Sequence, residues 1–131
     1  MRILLTDAAG IVGTAIRPYL SDFFGKITLT DIASVRDHKA NEKYIQGDIL
    51  DRQFVDTIVK VADGLVHMAG LVGPDYTFDQ VLGPNIQGTF NLFNSAHAHG
   101  LKNIIYASSH HVVGFMRRGS KINTEIPMRP D

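Results

Sequence analysis

The residues that could carry chemistry begin at the first turn of the chain. The segment Thr6–Gly13 follows a short apolar run and contains Gly10 and Gly13. Glycines in such a turn let the backbone approach a pyrophosphate, whose charge rests on the N-terminus of the following helix. Asp31 ends the next apolar run, about twenty residues later, where a carboxylate accepts hydrogen bonds from an adenosine ribose. The pattern therefore predicts a dinucleotide site. Because that carboxylate also repels a 2′-phosphate, we expect the site to favour NAD over NADP.

Two further polar residues stand near predicted strand ends, and each has two interpretations. Asp48 lies near the expected adenine pocket, but a role as a cap of its own loop is equally compatible with its position. Ser109 follows the last predicted strand, where it could act on a substrate or simply cap a turn. His67 ends an apolar run, and we interpret it as a packed, hydrogen-bonded strand residue rather than a catalyst.

A sheet with parallel strands is needed to bring these residues together. The predicted strands are Arg2–Thr6, Ile27–Asp31, Tyr44–Gly47, Gly64–Met68 and Asn103–Ser108. Helical periodicity between them predicts three helices: one from Gly10 to a stop at Gly25, one capped by Asp51, and one over 77–99 capped by Gly100. The alternation predicts an α/β fold, a Rossmann-type doubly wound parallel sheet of order 3-2-1-4-5. Ligands of such sheets bind at the carboxyl ends of the strands.

The same periodicity predicts which apolar side chains face the core. The predicted core positions on the helices are Val12, Ile16, Leu20, Phe23, Phe54, Ile58, Val61, Ile86, Phe90 and Phe93. Tyr106, inside the last strand, is also predicted to be a core residue. The polar segment 32–42 predicts a loop or a short helix.

Composition excludes several classes of function. The 131 residues suit one domain, and 13 basic residues balance 13 acidic ones, so no basic stripe points to a nucleic-acid partner. Cysteine is absent, which excludes disulfides and thiolate metal sites and fits a cytoplasmic protein. No apolar run is long enough to indicate a membrane partner. The six histidines are not arranged as metal ligands, and we predict no metal site.

With these residues placed, the whole chain resembles the extended short-chain dehydrogenase/reductase family, the NAD-dependent epimerase/dehydratase group. The resemblance rests on the first turn, Asp31, and four later stretches: Gly47–Asp48, His67–Gly70, Asn85–Thr89 and Ala107–Ser109. The stretch Ser108–Phe115 is similar to uronate dehydrogenases of that family. This resemblance implies NAD as cofactor and oxidation of a sugar acid to its lactone. The alternatives are a nucleotide-sugar epimerase or dehydratase relative and a non-catalytic nucleotide-binding protein.

The resemblance also assigns roles to single residues. It implies that Ser109 is the catalytic serine, which hydrogen-bonds the substrate hydroxyl, and that His110 and His111 face the sugar. The implied cofactor-binding residues are Gly10, Ile11, Val12, Gly13, Asp31, Asp48, Ile49, Ala69, Gly70 and Asn85. Among them, Asn85 is expected to brace the active site from its helix.

The chain departs from the family pattern at several positions. Asp7 replaces a glycine that often has positive φ, which Asp tolerates better than most residues. Its charge is expected to weaken NAD binding by on the order of 1 kcal/mol or more. Val72 replaces a substrate-contacting serine, His110 replaces an asparagine, and Gly83–Pro84 interrupts a helix that is regular in the family.

The largest departure concerns the family's Tyr-x-x-x-Lys motif, in which the tyrosine takes a proton from the sugar and the lysine lowers its pKa. No tyrosine follows Tyr106. We therefore interpret residues 1–131 as an incomplete NAD-binding Rossmann domain, without a substrate-binding half, that is inactive by itself. The fifth strand is then expected to be exposed, which makes a homo-oligomer through the sheet surface possible.

Overall fold

The architecture is that of a computed structural model, which describes residues 1–130. The strands are β1 (Arg2–Thr6), β2 (Lys26–Asp31), β3 (Glu42–Gln46), β4 (Gly64–His67) and β5 (Asn103–Tyr106). The α-helices are α1 (Ile11–Phe23), α2 (Arg52–Val59), α3 (Phe78–Val81) and α4 (Thr89–Ala98). A π-helix, Leu82–Gly88, joins α3 to α4, and a 3₁₀ turn, His110–Val113, follows β5.

The five strands form one parallel sheet in the order β3-β2-β1-β4-β5. This confirms the predicted α/β class and the doubly wound order. Successive residues of β1 point to opposite faces of the sheet. Leu4 accordingly belongs to the core that packs on α2 and α4, whereas Ile3 and Leu5 belong to the core under α1. The sheet is thus covered on both faces.

The face of α1 differs from the prediction at both ends of the helix. Ile16 and Leu20 pack against the core as predicted, but Val12 and Phe23 are exposed. Gly13 is buried instead, because the helix backbone approaches the first turn there too closely for a side chain. Phe24 takes the last core position.

The second helix follows its prediction more closely. The Asp51 side chain accepts hydrogen bonds from the backbone N–H groups of Gln53 and Phe54, as expected of an N-cap. Ile58 is buried and Phe54 packs against the core. Val61 is exposed, because the helix ends at Val59 before its periodicity can reach that residue.

The predicted single helix over 77–99 is wrong in its middle. Pro84 has no N–H to donate, and the chain forms the wider π-turn around it. An additional residue in a turn rotates the following face by about 100°. Ile86 and Phe90 are therefore 53% and 59% exposed, and Leu92 and Ala96 form the buried stripe. Phe93 is partly buried, and Gly100 ends the helix with φ 69°.

The edge strand β5 is shorter than predicted and is exposed along its length. Tyr106 was predicted to be a core residue, but it is 46% exposed at the edge of the sheet, although its ring contacts His67 and Phe93. At the opposite edge, β3 begins at Glu42, and segment 32–41 contains no helix. Among residues 1–130, no helix is both long enough and apolar enough to cross a membrane.

Candidate functional site

The first turn has the backbone shape that the family resemblance implies at the position of Asp7. Asp7 adopts φ 57°, in the left-handed region expected for this position. Its carbonyl oxygen accepts a hydrogen bond from the Gly10 N–H at 3.0 Å. A Cβ atom on Gly13 would lie 1.9 Å from that same carbonyl oxygen. Only glycine at position 13 therefore allows α1 to start this close to β1.

Asp31 connects the end of β2 to the first turn. One carboxylate oxygen accepts a hydrogen bond from the Ala9 N–H at 2.9 Å, and the other accepts one from the Ala33 N–H at 2.9 Å. Each oxygen has a second lone pair that can still accept from a ligand hydroxyl. The sequence pattern indicated a ligand-binding role for Asp31, but it gave no signal for these backbone contacts.

A cavity of about 320 Å³ lies at the carboxyl ends of β1, β2, β3 and β4. Its lining residues are Thr6, Asp7, Thr30, Asp31, Ile32, Gly47, Asp48, Ile49, Leu50, Ala69, Gly70, Leu71, Gln80 and Pro84. This is the switch point where α/β sheets bind ligands. Five of the predicted cofactor-binding residues line it: Asp31, Asp48, Ile49, Ala69 and Gly70. The other five do not line this cavity: Gly10, Ile11, Val12, Gly13 and Asn85.

Two features of this cavity bear on what it can hold. The Thr30 hydroxyl oxygen is buried and has no hydrogen-bond partner among residues 1–130, so a polar group of a ligand would satisfy it. Asp48 faces the cavity and also accepts a hydrogen bond from the Leu50 N–H at 2.9 Å. The two interpretations of Asp48, a pocket residue and a loop cap, are therefore compatible.

A second cavity, of about 1000 Å³, adjoins the first and shares Ala69, Gly70 and Leu71 with it. It brings together the predicted residues Asn85, Ser109, His110 and His111. The Ser109 hydroxyl oxygen accepts a hydrogen bond from the His111 N–H at 3.1 Å and so caps the 3₁₀ turn. Its hydrogen can still be donated to a ligand.

Asn85 holds the loop that separates the two cavities. Its side-chain oxygen accepts from the Leu71 N–H at 2.7 Å, and its side-chain nitrogen donates to the Leu71 carbonyl at 2.8 Å. This double contact is possible because the π-turn around Pro84 places Asn85 opposite the loop. The resemblance implied that Asn85 braces the active site, and the sequence did not indicate Leu71 as its hydrogen-bond partner.

His67 lies beneath the cavity in a fully hydrogen-bonded network. The Thr6 hydroxyl accepts from the N–H groups of Met68 (3.1 Å) and Ala69 (3.3 Å), so its own hydrogen is directed to His67 Nδ1 at 2.8 Å. Nε2 therefore carries the ring proton, which it donates to Thr89 at 2.9 Å. Burial lowers the pKa of His67 to about 4. The ring is neutral at pH 7 and ties together the ends of β1 and β4 and the start of α4.

We expect this histidine to make the protein less stable as the pH falls below 6.5. The His67 ring binds a proton near pH 6.5 in the unfolded chain but only near pH 4 in the folded chain. The contribution of the neutral ring to the free energy of unfolding is therefore complete above pH 6.5 and is lost progressively as the pH falls to 4. The loss should reach roughly 2 kcal/mol between pH 7.5 and 5. Urea unfolding at several pH values measures it. His67→Gln should flatten the dependence, whereas His38→Gln, at an exposed position, should retain it.

Comparison with known proteins finds one matching family model and several similar dehydrogenases. The model of the 3-beta hydroxysteroid dehydrogenase/isomerase family matches residues 4–126. Uronate dehydrogenase from Pseudomonas putida is 38% identical over 99% of this chain and 48% of its own length. Uronate dehydrogenase from Agrobacterium fabrum is 35% identical over 99% of this chain and 49% of its own length. The chain thus spans about half the length of the curated relatives it matches.

Solved structures agree with the sequence relatives. Glucuronic acid dehydrogenase from Chromohalobacter salexigens superposes with a TM-score of 0.90 at 39% identity, covering 99% of this chain and 48% of that one. A mutant uronate dehydrogenase from Agrobacterium tumefaciens, crystallised with NAD, gives a TM-score of 0.89 at 35% identity, covering 99% of this chain and 49% of that one. The Rossmann-type arrangement is therefore the fold of this chain.

Proposed function

We propose, from the premise that this chain belongs to the 3-beta hydroxysteroid dehydrogenase/isomerase family, that residues 1–131 are the NAD-binding domain of a uronate-type sugar dehydrogenase. The observation that carries this proposal is the position of Asp31. Its carboxylate reaches the Ala9 N–H of the first turn and lines the cavity at the switch point of the sheet. That is where a carboxylate can bind the adenosine ribose of NAD.

The proposed roles follow the two adjoining cavities. Asp48 and Ile49 flank the adenine, and the backbone of Gly10, Ile11, Val12 and Gly13 lies along the pyrophosphate. Ala69 and Gly70 line both cavities, so the cofactor passes along them toward the second. NAD held there would supply the hydride acceptor for oxidation of the sugar.

In the second cavity, this chain's own residues bind and orient the sugar acid. Ser109 donates its hydroxyl hydrogen to the substrate oxygen, while its own oxygen stays fixed by the His111 N–H. His110 and His111 face the sugar, and Asn85 keeps the wall of the cavity in place through Leu71. This geometry supports binding of a small polar substrate next to the cofactor.

We further propose that residues 1–131 alone do not complete the reaction, because no tyrosine after Tyr106 is present to take the proton. The assay is formation of NADH from NAD with glucuronate or galacturonate, and turnover by this chain alone would contradict the proposal. We also propose a cytoplasmic location, which the absence of cysteine supports. We further propose that copies of the chain associate with one another through the exposed surface of β5.

Replacing Asp31 with alanine tests NAD binding. We expect the affinity to fall by about tenfold or more, because hydrogen bonds to a charged group contribute roughly 1.5–3 kcal/mol. Isothermal titration calorimetry measures the effect. Asp75→Ala removes an exposed loop carboxylate and serves as the control. An unchanged NAD affinity in Asp31→Ala, or absence of NAD binding by the unaltered chain, would refute the proposed site.

A further inference from the structure

The cavity at the switch point is acidic, although the dinucleotide proposed for it is an anion. Its lining contains three carboxylates, Asp7, Asp31 and Asp48, and no lysine, arginine or histidine. A pyrophosphate group carries negative charge, and two like charges a few ångströms apart repel each other even at the effective dielectric of a protein surface. The negative charge of this cavity therefore repels the pyrophosphate part of the ligand.

The repulsion is concentrated at Asp7. A Cβ atom on Gly10 would lie 2.0 Å from an Asp7 carboxylate oxygen, so that carboxylate lies directly against the Gly10 backbone. Gly10 is the N-cap of α1 and supplies no side-chain cap to the helix. The first N–H groups of a helix are the donors that a phosphate uses. The Asp7 charge stands beside those donors.

Among residues 1–130, no cationic side chain pairs with Asp7. Within residues 1–130 no hydrogen bond is donated to its carboxylate. Burial and, after it, the neighbouring Asp31 raise the pKa of Asp7. Asp48, at the end of β3, is the remaining charged group that faces the same cavity. A bound phosphate would therefore lie beside the Asp7 carboxylate with no cationic side chain of residues 1–130 lining the cavity between them.

The rest of the cavity suits an uncharged ligand. Ile32, Ile49 and Leu50 supply an apolar lining, and the buried Thr30 hydroxyl has no hydrogen-bond partner in the part of the chain that the structure describes. Asp31 can accept hydrogen bonds from ribose hydroxyl groups. These are the contacts of a nucleoside, with an aromatic base and a sugar that donates hydrogen bonds.

We propose that this cavity recognises the nucleoside end of the dinucleotide and gains no affinity from the phosphates, because Asp7 cancels the attraction of the α1 N-terminus. This inference rests on the proposed function and refines its ligand class. Adenosine should then bind the chain as tightly as ADP does, whereas a site with an open helix N-terminus prefers the phosphorylated ligand.

Calorimetric titrations of adenosine and ADP at pH 7.5 test this inference. A chelator is present, so that no divalent cation bridges Asp7 and the phosphates. We expect the two dissociation constants of the unaltered chain to agree within about twofold. In Asp7→Asn, which keeps the shape and tolerates positive φ, ADP should bind about tenfold tighter and adenosine should bind as before. Asp7→Gly, which removes the carboxylate and allows positive φ, should show the same gain in ADP affinity and the same unchanged adenosine affinity.

The outcomes separate this inference from the proposed function. A clear preference of the unaltered chain for ADP would overturn the inference and leave the nucleotide site standing. An equal gain for both ligands in Asp7→Asn and Asp7→Gly would also overturn it, since the effect would then not act on phosphate. Absence of binding by either ligand to all three proteins would refute the nucleotide site itself and the inference with it.

Discussion

Replacing Gly13 with alanine should destabilise the protein by at least about 2 kcal/mol and abolish its NAD binding. The added Cβ would lie 1.9 Å from the Asp7 carbonyl oxygen, 2.9 Å from its carbonyl carbon and 3.0 Å from the Ala8 Cα. All three are backbone atoms, which no rotation of a side chain can move away. Helix α1 must therefore shift from β1, and the first turn loses the shape that a dinucleotide needs.

Gly25→Ala is the matched control for this prediction. A Cβ on Gly25 meets no atom within 4 Å, and its backbone does not adopt positive φ. We expect that variant to stay within about 1 kcal/mol of the unaltered chain. Urea unfolding and NAD titration of both variants give the two readouts. A Gly13→Ala protein with unchanged stability would mean that α1 does not start as close to β1 as the structure has it.

The first turn is also where the sequence was most informative. The alternation of strands and helices predicted the strand order, and the resemblance predicted positive φ at the position of Asp7. The turn itself depends on residues that are close together in the chain. The caps at Asp51 and Gly100 were predictable for the same reason.

The sequence was least informative where contacts link distant segments. The periodicity of 77–99 placed Ile86 and Phe90 in the core, because it could not anticipate the π-turn that rotates the helix face. The partner of Asn85 is a backbone group fourteen residues earlier in the chain. Ser109 and the two histidines meet Asn85 in one cavity only because β4 and β5 are neighbours.

The burial of Glu42 is another feature that depends on distant segments and could not be predicted from the sequence. Its effect on the free energy of unfolding is larger. The sequence placed it in a polar segment, but its side chain is completely buried. It accepts hydrogen bonds from Arg17 of α1, at 2.8 Å, from the Ser21 hydroxyl and from the Lys39 N–H at 2.6 Å. Burial alone would raise the pKa of Glu42, but these donors lower it to about 2. The carboxylate is therefore ionised at neutral pH and depends on Arg17 for its counter-charge.

Arg17→Met should for this reason cost about 3–5 kcal/mol of unfolding free energy at pH 7, because it leaves a buried charge without a partner. Arg2→Met removes the arginine of the second ion pair, Arg2–Asp63, whose side chains are 52% and 40% exposed. Its effect on the free energy of unfolding should be much smaller, because solvent screens an exposed ion pair. Equal losses in the two variants, measured by urea unfolding, would contradict the buried position of Glu42.

The pH dependence of Arg17→Met sharpens this test. Without Arg17, burial dominates and Glu42 takes up a proton more readily than it does in the unaltered chain. The unaltered chain keeps the stabilisation from its lowered pKa above pH 4.5 and loses it as the pH falls toward 2. The difference between the two proteins should therefore be largest at neutral pH and shrink below pH 4.5. A difference that stays constant across this range would assign the effect of Arg17 to packing rather than to the charge of Glu42.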